Sequence, residues 1–179
     1  PAVVPADTVE EAAKALRSGE RAALLLGGRA LRADGLQAAS RVATTTGAAL
    51  LGETFPANLE RGAGIPAVER LAYLAEMAQA QLDGVRHLVL VDASSPVSFF
   101  AYPNKASDLV PSSCTVHTLV RPGEDAAGAL EALAEAVGAA SDAATAAPSG
   151  RPDRPTGALT TESLAAAVGA TLPEGTIVV

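Results

Sequence analysis

Ala22-Ala23-Leu24-Leu25-Leu26-Gly27-Gly28-Arg29 is the stretch on which the fold turns. Five consecutive apolar residues have the length of a strand, and their apolarity is continuous rather than alternating. That implies burial on both faces, as in a parallel sheet covered by helices. Upstream, Val9, Ala12, Ala13 and Leu16 recur at helical spacing, with Thr8 and Glu11 in capping-box register and Gly19 at the exit. Downstream, Asp34 and Gln37 have N-cap and N3 spacing, Leu36, Ala39 and Ala43 mark one face, and Gly47 ends the helix.

The alternation continues along the chain. A strand at 48–51 precedes a turn-rich loop at 53–64, and Pro66 introduces a predicted helix with Val68, Leu71, Ala72, Ala75, Ala78 and Leu82 on its stripe, closed by Gly84. Next come a strand at 85–91, a long irregular region at 92–111 and a strand at 115–120. A helix follows, carrying Ala126, Ala127, Leu130, Leu133, Ala134 and Val137 on one face. No hairpin turn joins any strand to the next, so the strands need crossovers. The fold class is therefore α/β, a parallel sheet with helices on both faces.

From 139 to 157 Ala, Ser, Pro, Gly and Thr dominate, and this segment reads as a linker after a body at 1–138. At 158–179, Leu159 and Leu164 stand at hydrophobic-staple spacing around an N-cap at Thr160, and a strand is expected to begin at 177. The opening Pro1-Ala2-Val3-Val4-Pro5 has neither initiator Met nor signal peptide, and the chain stops on an apolar run. Both ends are expected to be cuts from a longer polypeptide.

Composition narrows the function. With 49% apolar and 18% charged residues among 179, global disorder is excluded. No apolar run approaches the roughly 20 residues that cross a bilayer. A net charge of −7 argues against a nucleic-acid partner. One cysteine, Cys114, and two histidines, His87 and His117, exclude a disulfide framework and a conventional zinc site, which fits a reducing cytoplasm.

Candidate binding residues cluster at strand ends. Gly27, Gly28 and Arg29 lie where a parallel strand meets the next helix, the place where backbone N–H groups can approach a phosphate. The dinucleotide fingerprint fails, because the sixth position counted from Gly27 is Arg32, so the domain is Rossmann-like without that motif. Asp92 and Ser94 follow the third strand, where Asp92 either binds a ribose hydroxyl or caps a turn. Both histidines read as satisfied structural groups, Cys114 as a small buried hydrophobe, and Glu124-Asp125 as helix caps. No catalytic acid/base pair and no metal cluster is apparent.

The order of segments AALLLGG, GAALLGETFPANLERGAGIP, HLVLVDASSPVSFFAYPNKASDLVP and CTVHTLV resembles the central domain of thiamine diphosphate-dependent enzymes of the acetolactate synthase and 2-oxoacid decarboxylase family. The resemblance covers about residues 9–137, and 159–179 is similar to the beginning of the family's C-terminal, pyrophosphate-binding domain. It implies a parent enzyme, a lyase or transferase and a homo-oligomer, that holds thiamine diphosphate and magnesium in flanking domains. The family's Gly-Asp-Gly segment is missing here, so this stretch is expected to be catalytically silent alone.

Central domains of the synthases often bind FAD. Gly27-Gly28 matches their first glycine turn, and Gly52-Glu53-Thr54 falls at the loop after the second strand. Asp92-Ala93-Ser94-Ser95 replaces the segment that carries their phosphate-facing arginine, which argues against FAD. Two other readings stand beside the scaffold domain: a stand-alone nucleotide-binding module of the deacylase or transhydrogenase type, and an architectural domain whose nucleotide pocket has lapsed.

Overall fold

A computed structural model describes residues 1–101, 103–104, 106–147 and 150–177. Five strands form one sheet: β1 (Ala22–Leu26), β2 (Ala49–Gly52), β3 (Glu69–Arg70), β4 (His87–Val91) and β5 (Thr115–Val120). Their spatial order is β3-β2-β1-β4-β5 and every pairing is parallel, as the uninterrupted apolar runs require. β1 is central and buried along its whole length.

The two faces of the sheet are covered unequally. Leu24, Leu26, Val89 and Val91 point into a core shared with α1 (Ala6–Leu16), α2 (Ala33–Thr46) and α4 (Ala126–Ala136). Ala23, Leu25, Leu88 and Leu90 point the other way, against Ala75, Ala78 and Leu82 of the short α3 (Ala75–Gln81) and its C-terminal flank. The period-2 alternation of strand side chains thus divides one apolar run between two cores. Helices lie on both faces, three against one.

Three local expectations are corrected. The segment from Pro66 forms a helix only from Ala75, because residues 69–70 pair with the open edge of β2 and Leu71 N–H donates to Gly52 O at 2.8 Å. A sheet edge offers unpaired backbone groups, and that demand outweighs the helical period. Thr8 is not a cap: α1 begins at Ala6 after Pro5, which leaves Glu11 free to reach elsewhere. Asp34 is not the N-cap of α2. The cap position is Arg32, and the loop carboxylate Glu60 accepts from Ala33 N–H at 2.5 Å.

Other local signals hold. Gly47 is left-handed, with φ +74°, at the end of α2. Asp125 caps α4 by accepting from Gly128 N–H, and Glu124 accepts from Arg121 N–H. Thr160 and Ser163 form a capping box at α5 (Thr161–Thr171).

The chain divides into two compact units, residues 1–147 and 148–179. The first extends past 138, where the linker was expected to begin: Ser40 Oγ accepts from Thr145 N–H, and Ala147 exchanges backbone bonds with Gly64 and Ile65. In the second unit Arg151 pairs with Glu174 at 2.8 Å, and α5 buries none of its residues. The strand expected from 177 falls mostly on 178–179, outside the described residues.

Candidate functional site

In an open parallel sheet the crevice lies where strand order reverses, outside the carboxyl ends. Here β2 and β3 are added on one side of β1, and β4 and β5 on the other, so the reversal lies between β1 and β4. Their ends are Gly27 and Asp92. Gly27 N–H donates to Val91 O at 2.9 Å and locks the two ends together.

Beyond Gly27 the chain makes a single 3-10 turn, Gly28–Leu31, whose first amides point outward from the strand ends. Such a turn is a natural anion nest, but here it is filled by the protein's own carboxylates. Arg29 N–H donates to Asp92 Oδ2 at 2.8 Å, and Gly28 N–H donates to Glu53 Oε1 at 3.3 Å. Gly28 has φ +44°, and a Cβ on it would overlap the Asp92 carboxylate, with Cγ only 2.7 Å away. Glycine is favoured here by the left-handed backbone and by the closeness of the carboxylate.

Asp92 itself is left-handed, with φ +51°, a conformation that costs a non-glycine residue on the order of 1–2 kcal/mol. The Arg29 N–H bond to its carboxylate, the donation of its own N–H to Val120 O at 3.0 Å and the β1–β4 junction hold it there. The Asp92 carboxylate lies on the turn after β1 and not on the turn that follows Asp92 itself. Gly27, Gly28, Arg29 and Asp92 come together as expected, while Ser94 is an exposed residue two positions further on. Glu53 is the site residue that strand-end reasoning passed over. Its signal was its place directly after β2, beside the end of β1.

A dinucleotide pyrophosphate does not fit this turn. It would have to displace Asp92 from Arg29 N–H and then lie against two carboxylates. A like-charge contact at 4 Å costs about 4 kcal/mol at an effective dielectric of 20.

The loops after β2, β3 and β4 bring a second group together. Phe55, Tyr73, Phe99 and Phe100, four of the chain's five aromatic residues, pack in edge-to-face and tilted pairs with centroids 5.1–6.2 Å apart. All four are exposed, Phe55 and Phe99 by about 60%. Cys114 is half-buried, and burial pushes its thiol up, as a small hydrophobe rather than a reactive thiolate would have it. Among the described residues no helix is long and apolar enough to cross a membrane.

The architecture is the domain fold found in thiamine diphosphate-dependent enzymes. A thiamine diphosphate-dependent 4-hydroxybenzoylformate decarboxylase from Rhodococcus jostii RHA1 superposes with TM-score 0.59 at 18% identity, over 88% of this chain and 32% of the decarboxylase. A Mycobacterium smegmatis enzyme provisionally described as thiamin diphosphate-dependent superposes with TM-score 0.58 at 18% identity, over 86% of this chain and 32% of its own. In sequence the chain is 60% identical over 178 residues to a Mycobacterium tuberculosis protein provisionally named acetolactate synthase large subunit IlvX. The match takes in 99% of this chain and 34% of that relative, so the chain spans about a third of its length. No family model matches. The chain is thus similar in sequence to about a third of an acetolactate synthase-like protein and shares its fold with a domain of thiamine diphosphate-dependent enzymes, as the order of its segments implied.

Proposed function

We propose that this chain is the non-catalytic central scaffold domain of a thiamine diphosphate-dependent enzyme acting on 2-oxoacids, by decarboxylation or by carboligation. The 60% identity to one third of an acetolactate synthase-like protein carries the reading. Under it, thiamine diphosphate and magnesium are held by flanking domains of the same polypeptide, and the parent is a cytoplasmic homo-oligomer. When bound, thiamine diphosphate supplies the nucleophile and the electron sink. This chain's own residues do not fit that cofactor: its sequence has no Gly-Asp-Gly, and no described His, Cys, Asp or Glu side chains form a group of three that could hold a metal.

What the chain offers is a rigid sheet and surfaces for neighbours. The exposed aromatic cluster suits a contact with the flanking domains, since aromatic residues and Met dominate interface cores and Met77 is exposed nearby in α3. The uncovered apolar residues Leu164 and Val168 of α5 fit a helix whose packing partner lies in further chain. The alternative, a nucleotide-binding module, needs an open turn after β1, and the Asp92 and Glu53 contacts weigh against it.

Two measurements on the purified chain test this reading. With thiamine diphosphate, magnesium and pyruvate it is expected to release no carbon dioxide, and turnover would overturn the non-catalytic assignment. Calorimetric titration with FAD and ADP is expected to give no binding at micromolar concentration. Micromolar FAD binding that disappears in Arg29→Ala would restore the nucleotide-binding alternative.

A further inference from the structure

After α4 the backbone is left-handed at Gly138, with φ +74°, and a turn closed by Ala143 N–H to Ala140 O at 3.2 Å redirects the chain. It then passes α2 and reaches the loop between β2 and β3. Thr145 N–H donates to Ser40 Oγ, within α2, at 2.9 Å. Two residues later Ala147 N–H donates to Ile65 O and Ala147 O accepts from Gly64 N–H, both at 3.1 Å.

These contacts hold the segment by means unlike those of the core. Residues 139–147, AASDAATAA, carry no side chain larger than Asp or Thr and none of them is buried, so apolar burial offsets little of their ordering entropy. Hydrogen bonds are what fix them. Ser40, 5% exposed, is the one polar side chain buried among the described residues, and its hydroxyl oxygen is the acceptor at the crossing of α2. Thr145 and Ala147 are two positions apart with only Ala146 between them, so release of one loosens the other.

The loop grasped at the far end is itself weakly ordered by its own sequence. Gly62 and Gly64 have φ of +135° and +76°, and no atom lies within 4 Å of where a Cβ would stand on either. Glycines lose the most backbone freedom on being fixed, so this turn needs an outside hold. Next to it, Glu60 reaches the other way. Its N–H donates to Leu31 O at 3.0 Å, and its carboxylate accepts from Ala33 N–H at the start of α2 and pairs with Arg32 at 3.3 Å.

We infer that residues 139–147 are a strap that opens and closes on the body as one unit, with Ser40 as its latch. Closed, it holds the turn at 62–65 and, through Glu60, the start of α2 directly after the turn that follows β1. The path of the chain at 147 is thereby coupled to the edge where Gly28, Arg29, Glu53 and Asp92 meet. Opening breaks hydrogen bonds only, and it leaves the buried Leu36 and Val42 of α2 in the core. It is therefore a local event, well below global unfolding in cost.

Native-state amide hydrogen exchange on the purified chain, read residue by residue by NMR, is the test. In the wild type, Thr145, Ala147 and Gly64 are expected to share one level of protection, above that of an unstructured chain and far below that of β1 and β4. Ser40→Ala removes the latch acceptor and suits a helix, and it should lower protection of all three amides together by about fivefold. A smaller fall is expected at Ala33, with β1 and α4 unchanged. Ala147→Pro, which removes the donor to Ile65 and leaves Ser40 in place, should release Thr145 and Gly64 to a similar degree. Loss confined to Thr145 in Ser40→Ala, unchanged exchange at Ala33 in both variants, or wild-type protection of the strap equal to that of β1 would each overturn the inference.

Discussion

Asp92 holds a left-handed backbone in order to place its carboxylate on Arg29 N–H, with Glu53 on Gly28 N–H beside it. Together these side chains do for the turn after β1 what a bound phosphate does elsewhere: they satisfy its outward amides. Removing their charge while keeping their shape should leave those amides open to competition. The double variant Asp92→Asn, Glu53→Gln is therefore expected to bind ADP at least tenfold more tightly than wild type by calorimetry, with Tm changed by only a few degrees. Unchanged affinity would mean that like-charge repulsion does not close this edge. Asp92 was legible as a strand-end residue, but its partner was not, because Arg29 lies 63 positions away and only β1–β4 pairing brings the two together.

Caps are the element-scale features on which local sequence reading both succeeded and failed. Asp125 at the start of α4 and Thr160 at α5 use residues within one turn, so a short window reveals them. Thr8 has the same signature, yet Pro5 starts α1 a turn earlier and Thr8 sits inside the helix. Asp125→Ala should accordingly cost about 1 kcal/mol, or about 2–4 °C in Tm, whereas Thr8→Ala should change Tm by less than about 1 °C. Equal losses in the two variants would show that the cap at Asp125 contributes nothing of its own. α2 lies between these cases: its first amide is satisfied by Glu60, 27 residues downstream, which no local window contains.

For the whole molecule, the exposed rings of Phe55, Tyr73, Phe99 and Phe100 form an aromatic cluster at the surface of this chain. They pack against one another, so removing two of them takes little from the core. Phe55→Ser together with Phe99→Ser is expected to leave the Tm of the isolated chain nearly unchanged. In a polypeptide of the relative's full length the same pair should loosen the domains, read as faster limited proteolysis between them. A large loss of Tm in the isolated chain would reassign the cluster to internal stability.

Continuous apolar runs such as 22–26 and 88–91 determined the helix-covered parallel sheet, because a strand buried on both faces needs apolar residues along its buried length. The glycine exits and the caps at Asp125 and Thr160 were likewise set locally, since backbone geometry and hydrogen bonding act over a few residues. Strand order was not, and it decided the rest. Placing β4 beside β1 brought Asp92 to Arg29, the edge of β2 drew residues 69–70 out of a helix, and the adjacency of β4 and β5 joined His87 to His117. The loops after β2, β3 and β4 met as one aromatic cluster for the same reason. Each contact joins residues far apart along the chain, and only cooperative packing of the whole sheet, which no local window contains, fixes which ends are neighbours.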